Sequence, residues 1–408
     1  MQKKDLLIVC QYFYPDHVST GRLPTELAED LAAQGMTVDV LCGFPSYMVF
    51  DGKETATPQK EVYKGINIRR IAIPRLNKNS RIGRLFNYFA FAVGVLLRFL
   101  QFRKYDKVLL ITNPPLLPYF GYLSKKIFHN KFIFLIYDLY PDIALALGAV
   151  NEGSLLVRAM NYVNERAFMS ADAIIALGDD MKQYLIKNKK IPHKDYIHVI
   201  PNWMDSTNIT VKEKVNTFSL AEGLADNFVI LYSGNIGLFQ ELEMLVECAR
   251  LLQDYDDIVF IFVGEGGKKK KLINLVSEYK LQNVKFYGFQ PDNIYNDVLA
   301  SADCFVVTLE KAAEGLGVPS KTYTYLAAGR PLIGILSENT DIGKMLTYEK
   351  IGFQIDHDNI QLLAERILYL YKNQQVRLEM GRNARDLQES RYDRKTVTDQ
   401  YYKLIGSV

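Results

Sequence analysis

The stretch LEKAAEGLGVPSKTYTYLAAGRPLIGI, residues 309–335, joins a glycine-rich loop to a short helical pattern and an apolar strand. Pro319 and Ser320 are typical of a helix start, and Gly329 is typical of a helix end. Lys321 then stands in the first turn, where free backbone N–H groups and the helix dipole attract an anion. The stretch therefore predicts an alternating β/α fold with a loop suited to a phosphate.

The same alternation continues on both sides of this stretch. Longer patterns at 21–34 and 154–170 indicate helices, and helices between strands favour an α/β fold with parallel sheets covered on both faces. With 408 residues, the chain is long enough for two such domains. The predicted strands are the apolar runs 5–12, 36–42, 66–73, 107–112, 131–137, 172–177 and 197–200 in the first half, and 228–233, 258–263, 284–288, 303–308, 331–336 and 352–355 in the second.

Domain boundaries follow from the polar, non-periodic segment 203–227, which we interpret as a linker. It separates a first domain, 1–202, from a second, 228–393, and the final helix, 394–408, is a candidate to cross back to the first domain. Two doubly wound domains facing each other leave a cleft at the carboxyl ends of their strands, where ligands usually bind. Four scattered cysteines without paired spacing favour a reducing, cytoplasmic compartment over a zinc site or a disulfide framework.

Positive charge is concentrated in the segment 62–105, which holds ten Lys or Arg residues and no acid; since the net charge is +3, the rest of the chain carries −7. Within it, residues 85–102 (LFNYFAFAVGVLLRFLQF) form a helical pattern, but Arg98 and Gln101 leave its apolar part short of the ~20 residues of a membrane span. We interpret it as a helix that lies in the membrane interface or covers the domain core. Basic residues near an anionic leaflet contribute about 1 kcal/mol each and would hold the protein at the inner membrane face. Nucleic acid is disfavoured, because no recognised motif accompanies the charge.

Several segments resemble, in the same order, the family 4 glycosyltransferases of the GT-B fold. The EGLGVPSK and AAGRP wordings resemble the donor-site segment of that family, and FVILYSGNIG (228–237) resembles the strand and glycine loop that open its second domain. The next strand–helix–strand unit of that second domain is resembled by residues 258–288. The first βαβ unit of the family is resembled by residues 5–43. The resemblance covers most of the chain. It implies two doubly wound Rossmann-like domains and transfer of a sugar from a nucleotide-sugar, with no metal or other cofactor.

Donor-binding residues are implied by this resemblance and by the glycine turns that follow the strands. In the first domain, a glycine at the start of the first helix lets the backbone approach the donor phosphates, and the arginine after it adds charge. In the second domain, the turns after two strands would approach the phosphates and the nucleoside. The candidate donor-binding residues are Gly21, Arg22, Gly234, Asn235, Gly237, Gly264, Glu265, Gly266, Ser320, Lys321 and Thr324.

The chain departs from the family where charge is expected. Asn235 and Gln240 stand at positions where many members have Arg and Lys, so Lys321 is the candidate cation for the diphosphate, with Arg330 a weaker one.

The paired glutamates of the family, eight positions apart, are altered as well. Counting back from AAGRP places Thr324 at the ribose glutamate and Leu316 at the other, whereas the wording EGLG favours Glu314 with a shift of two residues. We interpret Glu314 as the group near the donor sugar and Thr324 as the group near the ribose. A solvated loop acid is the alternative for Glu314.

Acceptor-side candidates follow the strands of the first domain. Asp138, after FIFLIY, is the candidate to orient or deprotonate the acceptor hydroxyl. Asp142 is either an acceptor contact or the cap of the next helix. Asn113 and His17 are further acceptor-binding candidates, although a lone loop histidine is more often a surface residue. Asp138, Glu314 and Lys321 are the candidate catalytic residues.

Together these expectations describe a sugar transferase that acts on a lipid-linked acceptor. The GNIG, GLGVPSK and AAGRP wordings resemble most the L-fucosamine transferases of the WbuB type. That implies transfer of N-acetyl-L-fucosamine from a UDP-sugar to undecaprenyl-diphosphate-linked GlcNAc in O-antigen or capsule assembly. The implied partners are the nucleotide-sugar, the lipid-linked saccharide, the inner-membrane surface and other polysaccharide-assembly enzymes.

Other functions remain open at this point. A sugar-nucleotide epimerase of the same fold needs the donor site but no acceptor site or membrane face. A non-catalytic subunit that binds a nucleotide-sugar or a lipid is consistent with the altered charged positions. A dinucleotide-dependent oxidoreductase is disfavoured, because no GxGxxG motif follows the first strand.

Overall fold

The computed structural model describes residues 3–16, 18–45, 57–73, 81–237 and 240–408, which form two compact units. Unit 1 comprises Met1–Pro201, Gly315–Val318 and Lys395–Val408, and unit 2 comprises Asn202–Glu314 and Pro319–Arg394. Each unit contains one sheet whose strands are connected by helices. The predicted fold class, two Rossmann-like α/β domains with parallel sheets, is confirmed.

The sheet of unit 1 is parallel except at one edge. Its strands are β1 (Lys4–Val9), β2 (Val38–Gly43), β3 (Lys60–Tyr63), β4 (Ile66–Ile71), β5 (Tyr105–Ile111), β6 (Lys131–Leu135), β7 (Ala173–Ala176) and β8 (Ile197–Val199), in the spatial order β3-β4-β2-β1-β5-β6-β7-β8. The intervening helices are α1 (Ser19–Ala33), α2 (Arg81–Leu96), α3 (Pro118–Phe128), α4 (Asp142–Ala146), α5 (Leu155–Ser170) and α6 (Asp179–Asn188). The central strands are apolar without alternation because helices cover both faces of the sheet.

The sheet of unit 2 is parallel throughout its described pairings. Its strands are β9 (Phe228–Ser233), β10 (Ile258–Val263), β11 (Val284–Tyr287), β12 (Cys304–Thr308), β13 (Leu332–Ile335) and β14 (Gly352–Ile355), in the order β11-β10-β9-β12-β13-β14. The helices are α7 (Thr217–Ala221), α8 (Glu243–Leu251), α9 (Lys269–Glu278), α10 (Asp292–Ala300), α11 (Lys321–Ala327), α12 (Asp341–Tyr348), α13 (Ile360–Lys372) and α14 (Gln374–Leu387). The last helix of the chain, α15 (Arg394–Ser407), belongs to unit 1 from Lys395 onward. One side of the sheet forms a continuous core with α8 and α13, in which Phe260, Leu245 and Leu363 are buried.

Three local predictions need correction. The apolar runs did not reveal β3, an exposed antiparallel edge strand with the sequence KEVY. The segment 203–227, which we interpreted as a linker, belongs to unit 2 and contains α7. The helical pattern over 85–102 is interrupted, because α2 ends at Leu96 and a 3-10 helix covers Phe99–Lys104.

Helix α2 is apolar on two faces. Phe91, Val95 and the following Phe99 are buried in unit 1, whereas Phe89 and Leu97 are 62% and 79% exposed. Within the described residues, every helix is too short or too polar to span a bilayer.

The strand order of each sheet reverses at one place, between β1 and β5 in unit 1 and between β9 and β12 in unit 2. At such a switch point the connections after two neighbouring strands leave in opposite directions and open a crevice at the carboxyl edge of the sheet. The loops after these four strands are therefore where each unit is expected to bind a ligand.

Candidate functional site

Two glycine turns lie against each other at the carboxyl edge of the unit 2 sheet. Gly234 follows β9 and Gly264 follows the neighbouring β10, with φ values of 133° and 140°. A Cβ atom at Gly264 would lie 2.0 Å from the Gly234 carbonyl oxygen, and one at Gly266 would lie 2.2 Å from that of Ile236. Because a side chain would prevent this approach, the glycines let the two loops form one wall beside the β9/β12 switch point.

Gly264→Ala is expected to lower the free energy of unfolding by about 3 kcal/mol, since it adds both backbone strain and a steric clash. Gly267→Ala is the matched control, because a Cβ atom there meets nothing within 4 Å. Urea unfolding of the two variants measures the difference. Equal free energies of unfolding would contradict the close packing of the turns.

Lys321 lies beside the first of these turns. Its ammonium group is 3.6 Å from the centre of the Tyr232 ring and forms a hydrogen bond with the Tyr232 hydroxyl. A Cβ atom at Gly234 would lie 3.3 Å from Lys321 Nζ. Among the described residues no carboxylate pairs with Lys321, and loss of solvent lowers the pKa of this lysine well below its usual range. A cation without a counter-charge at a glycine turn is suited to an anion from outside the protein.

The helix that begins at Lys321 offers less to a bound anion than the sequence suggested. α11 has seven residues, and Ser320 occupies its N-cap position with helical φ and ψ values of −58° and −21° and no side-chain cap hydrogen bond. The prediction of a Ser320 cap is therefore wrong in this respect, whereas Gly329 follows the helix with φ 65°, as expected of a helix end. Thr324 Oγ1 has the Met204 sulfur at 3.8 Å as its partner, and sulfur is a weak acceptor.

The turn after β9 carries no cationic side chain among its described residues. The Gly237 N–H donates to Gln240 Oε1 at 3.0 Å, and the Tyr232 hydroxyl donates to the Asn235 carbonyl oxygen at 2.7 Å. The amide of Gln240 thus closes the turn, and the positive charge at this place comes from Lys321.

Other charged groups nearby are already paired. Lys268 Nζ contacts Glu310 at 2.8 Å and Glu243 at 3.1 Å, and Glu265, 55% exposed, pairs with Lys269 at 2.6 Å. The Arg330 guanidinium donates to the carbonyl oxygens of Ala300, Ala302, Lys212 and Gly329. Arg330 therefore fastens backbone segments of unit 2 and is not a free cation.

Glu314 is held at the same edge by a histidine that the sequence did not single out. Glu314 Oε1 accepts the Ser337 N–H at 2.7 Å and lies 3.0 Å from His357 Nε2. His357 Nδ1 contacts the Glu241 carboxylate. The one available signal for His357 was its position two residues after a predicted strand, 352–355.

In unit 1, Gly21 and Arg22 lie in the first turn of α1, next to the loop that follows β1. A Cβ atom at Gly21 would lie 2.8 Å from Asp16 Cβ, so glycine permits this loop to pack on the helix. The Arg22 guanidinium pairs with Glu26 at 3.2 Å, one turn further along α1. His17, the remaining candidate on this loop, lies outside the described residues.

Asp138 follows β6 and is mostly surrounded by protein. Its backbone N–H lies 3.4 Å from Thr112 Oγ1, at the end of the neighbouring β5, and its backbone pairs with Gly317. Its carboxylate has no hydrogen bond or ion pair among the described residues, and burial raises the pKa of Asp138 to about 6. Asn113 Oδ1, also after β5, is buried without a hydrogen-bond partner in the described part of the chain. Both side chains thus retain polar atoms for an external group.

Asp142 differs from Asp138. Its two carboxylate oxygens contact Lys189 Nζ at 2.6 and 2.7 Å, and Oδ1 also accepts the Tyr184 hydroxyl at 2.9 Å. It stands in the first turn of α4, and the preceding Pro141 occupies the N-cap position. These contacts fasten α4 to α6 and leave little of Asp142 for an acceptor.

Within the described residues, no cluster of three or more His, Cys, Asp or Glu side chains is arranged to hold a metal ion.

The described carboxyl edges of the two sheets each offer one group without a charged partner: the Lys321 amine in unit 2 and the Asp138 carboxylate in unit 1. These groups suit anion binding and proton transfer, respectively.

Comparison with known families matches both halves of the chain. Residues 20–208 match the family described as Glycosyltransferase Family 4, and residues 218–387 match the family described as Glycosyl transferases group 1. The two matches follow one another and cover the units in which the two candidate edges lie.

Individual relatives have similar descriptions. The chain is 27% identical over 304 residues to the probable glycosyltransferase WbjE of Pseudomonas aeruginosa, covering 72% of this chain and 73% of that protein. It is 25% identical over 403 residues to the putative colanic acid biosynthesis glycosyl transferase WcaI of Escherichia coli K12, covering 95% and 96%. The structure of Anabaena Alr3699/HepE in complex with UDP superposes with a TM-score of 0.73 at 16% identity, covering 99% of this chain and all of that one; this similarity concerns the fold.

Proposed function

The chain belongs to the family 4 glycosyltransferases of the GT-B fold, and on this premise we propose that it transfers a sugar from a UDP-sugar to a lipid-linked saccharide during polysaccharide assembly. The name of WcaI, a putative colanic acid biosynthesis glycosyl transferase, supports the assembly context. The resemblance to WbuB-type enzymes supports N-acetyl-L-fucosamine as the sugar and undecaprenyl-diphosphate-linked GlcNAc as the acceptor.

The unpaired Lys321 carries this proposal. It lies at the β9/β12 switch point next to Gly234, has no carboxylate partner in the described residues, and is partly desolvated. Two phosphates of a UDP-sugar would supply the missing negative charge, and charge-assisted hydrogen bonds are about twice as strong as neutral ones. Lys321 would then stabilise the UDP leaving group as charge develops on it.

The other site residues take roles around this contact. The donor is bordered by the backbones of Gly234, Asn235, Gly237, Gly264, Gly266 and Ser320. The nucleoside lies toward Thr324 and Glu265, and the donor sugar lies toward Glu314. In unit 1, Gly21 and Arg22 assist at the phosphates. Asp138 acts as base or orienting group for the acceptor hydroxyl, with Asn113 and His17 as candidate acceptor contacts, whereas Asp142 anchors α4 to α6 through Lys189.

The exposed face of α2 and the segment after it supports peripheral attachment to the inner face of the cell membrane. Its apolar side chains recur at helical spacing, and Arg103 and Lys104 are exposed beside it. An apolar stripe with adjacent basic residues is typical of segments that lie in the interface of an anionic bilayer. The stripe consists of Leu85, Phe86, Phe89, Val93, Leu96, Leu97 and Leu100.

Replacing Phe89 and Leu97 together by Ser is expected to weaken binding to anionic phospholipid vesicles by about 100-fold or more, because each side chain loses about 1.5 kcal/mol or more of apolar burial. Vesicle co-sedimentation measures this. Tyr348→Ser, a change at a 77% exposed aromatic residue of unit 2, is the control. Unchanged binding of the double variant, or equal loss in the control, would contradict the membrane face.

Mass spectrometry of a detergent reaction with GlcNAc-diphosphate-lipid and a set of nucleotide-sugars tests the function. A mass gain of one N-acetylfucosamine residue is the expected result. A mass gain that corresponds to another sugar would support sugar transfer but contradict N-acetyl-L-fucosamine as the transferred sugar. UDP-sugar binding without any product would reject transfer in favour of an epimerase or a non-catalytic subunit, and conversion of the donor itself would distinguish the epimerase.

A further inference from the structure

His357 lies between two carboxylates at the carboxyl edge of the unit 2 sheet. Its Nδ1 contacts Glu241 and its Nε2 lies 3.0 Å from Glu314 Oε1. The imidazole side chain is 9% exposed, and those of Glu241 and Glu314 are 19% and 17% exposed. Such an arrangement fixes the orientation of the ring from both sides.

We propose that His357 is a positioning residue that holds Glu314 through one carboxylate oxygen and leaves the other for the donor. This inference rests on the proposed function, which places Glu314 near the donor sugar. His357 itself touches neither substrate in this proposal, and it acts through Glu314.

The hydrogen bonds of Glu314 are unevenly distributed between its oxygens. Oε1 receives both the Ser337 N–H and the His357 imidazole. Oε2 has no hydrogen bond among the described residues, so it is the oxygen available for a sugar hydroxyl or for developing positive charge. Two donors on one oxygen also restrict rotation of the carboxylate.

The cluster is built on the core strands of unit 2. Glu314 follows β12, Ser337 follows β13 and His357 follows β14, which are neighbours in the sheet. Glu241 comes from the segment after β9, and its N–H donates to Thr308 Oγ1 at the end of β12 at 2.9 Å. Groups supported by several rigid strands are held more closely than groups on one loop.

Electrostatics favour a protonated ring. Burial lowers the pKa of His357, because it disfavours the charged ring. Glu314 and Glu241 raise it through their hydrogen bonds and their negative charges, and together they outweigh the effect of burial, so the pKa of His357 lies above its usual value. Among the described residues, these two carboxylates are the charged groups that contact the ring; the Asp356 carboxylate accepts the Gln354 amide at 2.9 Å. A protonated imidazole donates to both glutamates, whereas a neutral one donates to one of them only. Deprotonation therefore releases one of the two contacts.

His357→Ala is expected to lower kcat/KM for the donor by about 30-fold, a loss comparable to that caused by removing a hydrogen-bond partner that orients a metal ligand. Imidazole added to this variant should restore several-fold activity, because the ring refills the space between the glutamates. Glu241→Gln should move the alkaline limb of the wild-type pH profile to lower pH, since it removes one carboxylate that stabilises the imidazolium. His193→Ala, at an exposed histidine of unit 1, is the control and should show neither effect.

Wild-type kcat/KM in His357→Ala, or a loss that is uniform with pH and insensitive to imidazole, would overturn the positioning role. Transfer by the wild-type protein in the same assay separates this result from failure of the proposed function. NMR titration of histidine-labelled protein needs no transfer: the His357 signal, assigned with His357→Gln, should titrate at lower pH in Glu314→Gln. An unchanged titration would overturn the contact itself.

Discussion

Lys321→Ala is expected to reduce kcat/KM for the nucleotide-sugar by about 100-fold, the typical effect of removing one group that stabilises developing negative charge. The turn after β9 has the uncharged Asn235 and Gln240, so no described side chain of that turn replaces the lost cation. Steady-state kinetics with donor varied at saturating acceptor measure the loss. Lys311→Ala is the matched control, because Lys311 is an exposed lysine ten residues earlier in the chain.

Stability is expected to respond in the opposite direction. Lys321 is partly desolvated without a carboxylate partner in the described residues, so its removal relieves an unfavourable burial of charge. The unfolding temperature of Lys321→Ala should therefore equal or exceed that of the wild type, which distinguishes a binding role from a structural one. If the unfolding temperature and the activity of Lys321→Ala both fell strongly, the role of Lys321 would be structural and the binding role would be contradicted. Wild-type kinetics of the variant would contradict the binding role as well.

Proton uptake provides an independent check of the same contact. Because the pKa of Lys321 is lowered in the free protein, a bound diphosphate raises it again and draws a proton onto the amine. Calorimetry of UDP binding in buffers of different ionisation enthalpy should show this uptake above the lowered pKa in the wild type. The uptake should be lost in Lys321→Ala.

The parallel sheets were predictable because their strands are buried on both faces and are therefore apolar throughout. β9 and β10, FVILYS and IVFIFV, are buried at every position and stand out against the polar segments around them. The edge strand β3 escaped because KEVY is short, polar and exposed. The end of α2 at Leu96 escaped because Leu97 and Leu100 are as apolar as the helix, so hydrophobicity alone does not mark the boundary.

The location of the candidate site was more predictable than the state of its side chains. Glycine turns and acids after strands indicate the carboxyl edge of a parallel sheet, which is where Gly234, Gly264 and Asp138 lie. Which charges are free depends on partners distant in sequence. Asp142 is paired with Lys189, 47 residues away, and Glu314 with His357, 43 residues away, and no local pattern encodes either contact.

This dependence on distant partners separates the two acids that follow β6. Asp138 and Asp142 are four residues apart, and of the two only Asp142 has a cation beside it in the described part of the chain. An acid without a counter-charge in a desolvated place is the usual form of a general base that operates near neutral pH. Sequence alone left both acids as candidates, whereas the geometry favours Asp138.

Asp138→Asn is expected to lower kcat/KM by about 100- to 10,000-fold, the range for loss of a general base. Burial raises the pKa of Asp138 to about 6, and the base must be ionised, so wild-type activity should rise with pH through that value. The variant should lack this acidic limb, because the amide does not titrate. The pH dependence of kcat/KM for both proteins, with acceptor varied, measures the effect.

Stability against pH gives the same assignment without an activity assay. The pKa of Asp138 is higher in the folded protein than its usual value of 3.8, so the folded state holds the proton more tightly than the unfolded state. Its stabilising contribution is present below the unfolded pKa and is lost as the pH rises through about 6. Asp138→Asn should therefore match the wild type in acid and exceed it in unfolding temperature above that pKa. Asp142→Asn should instead be destabilised, because it leaves Lys189 without its partner. An acidic limb that persists in Asp138→Asn would assign the proton transfer to another group, such as the donor phosphate.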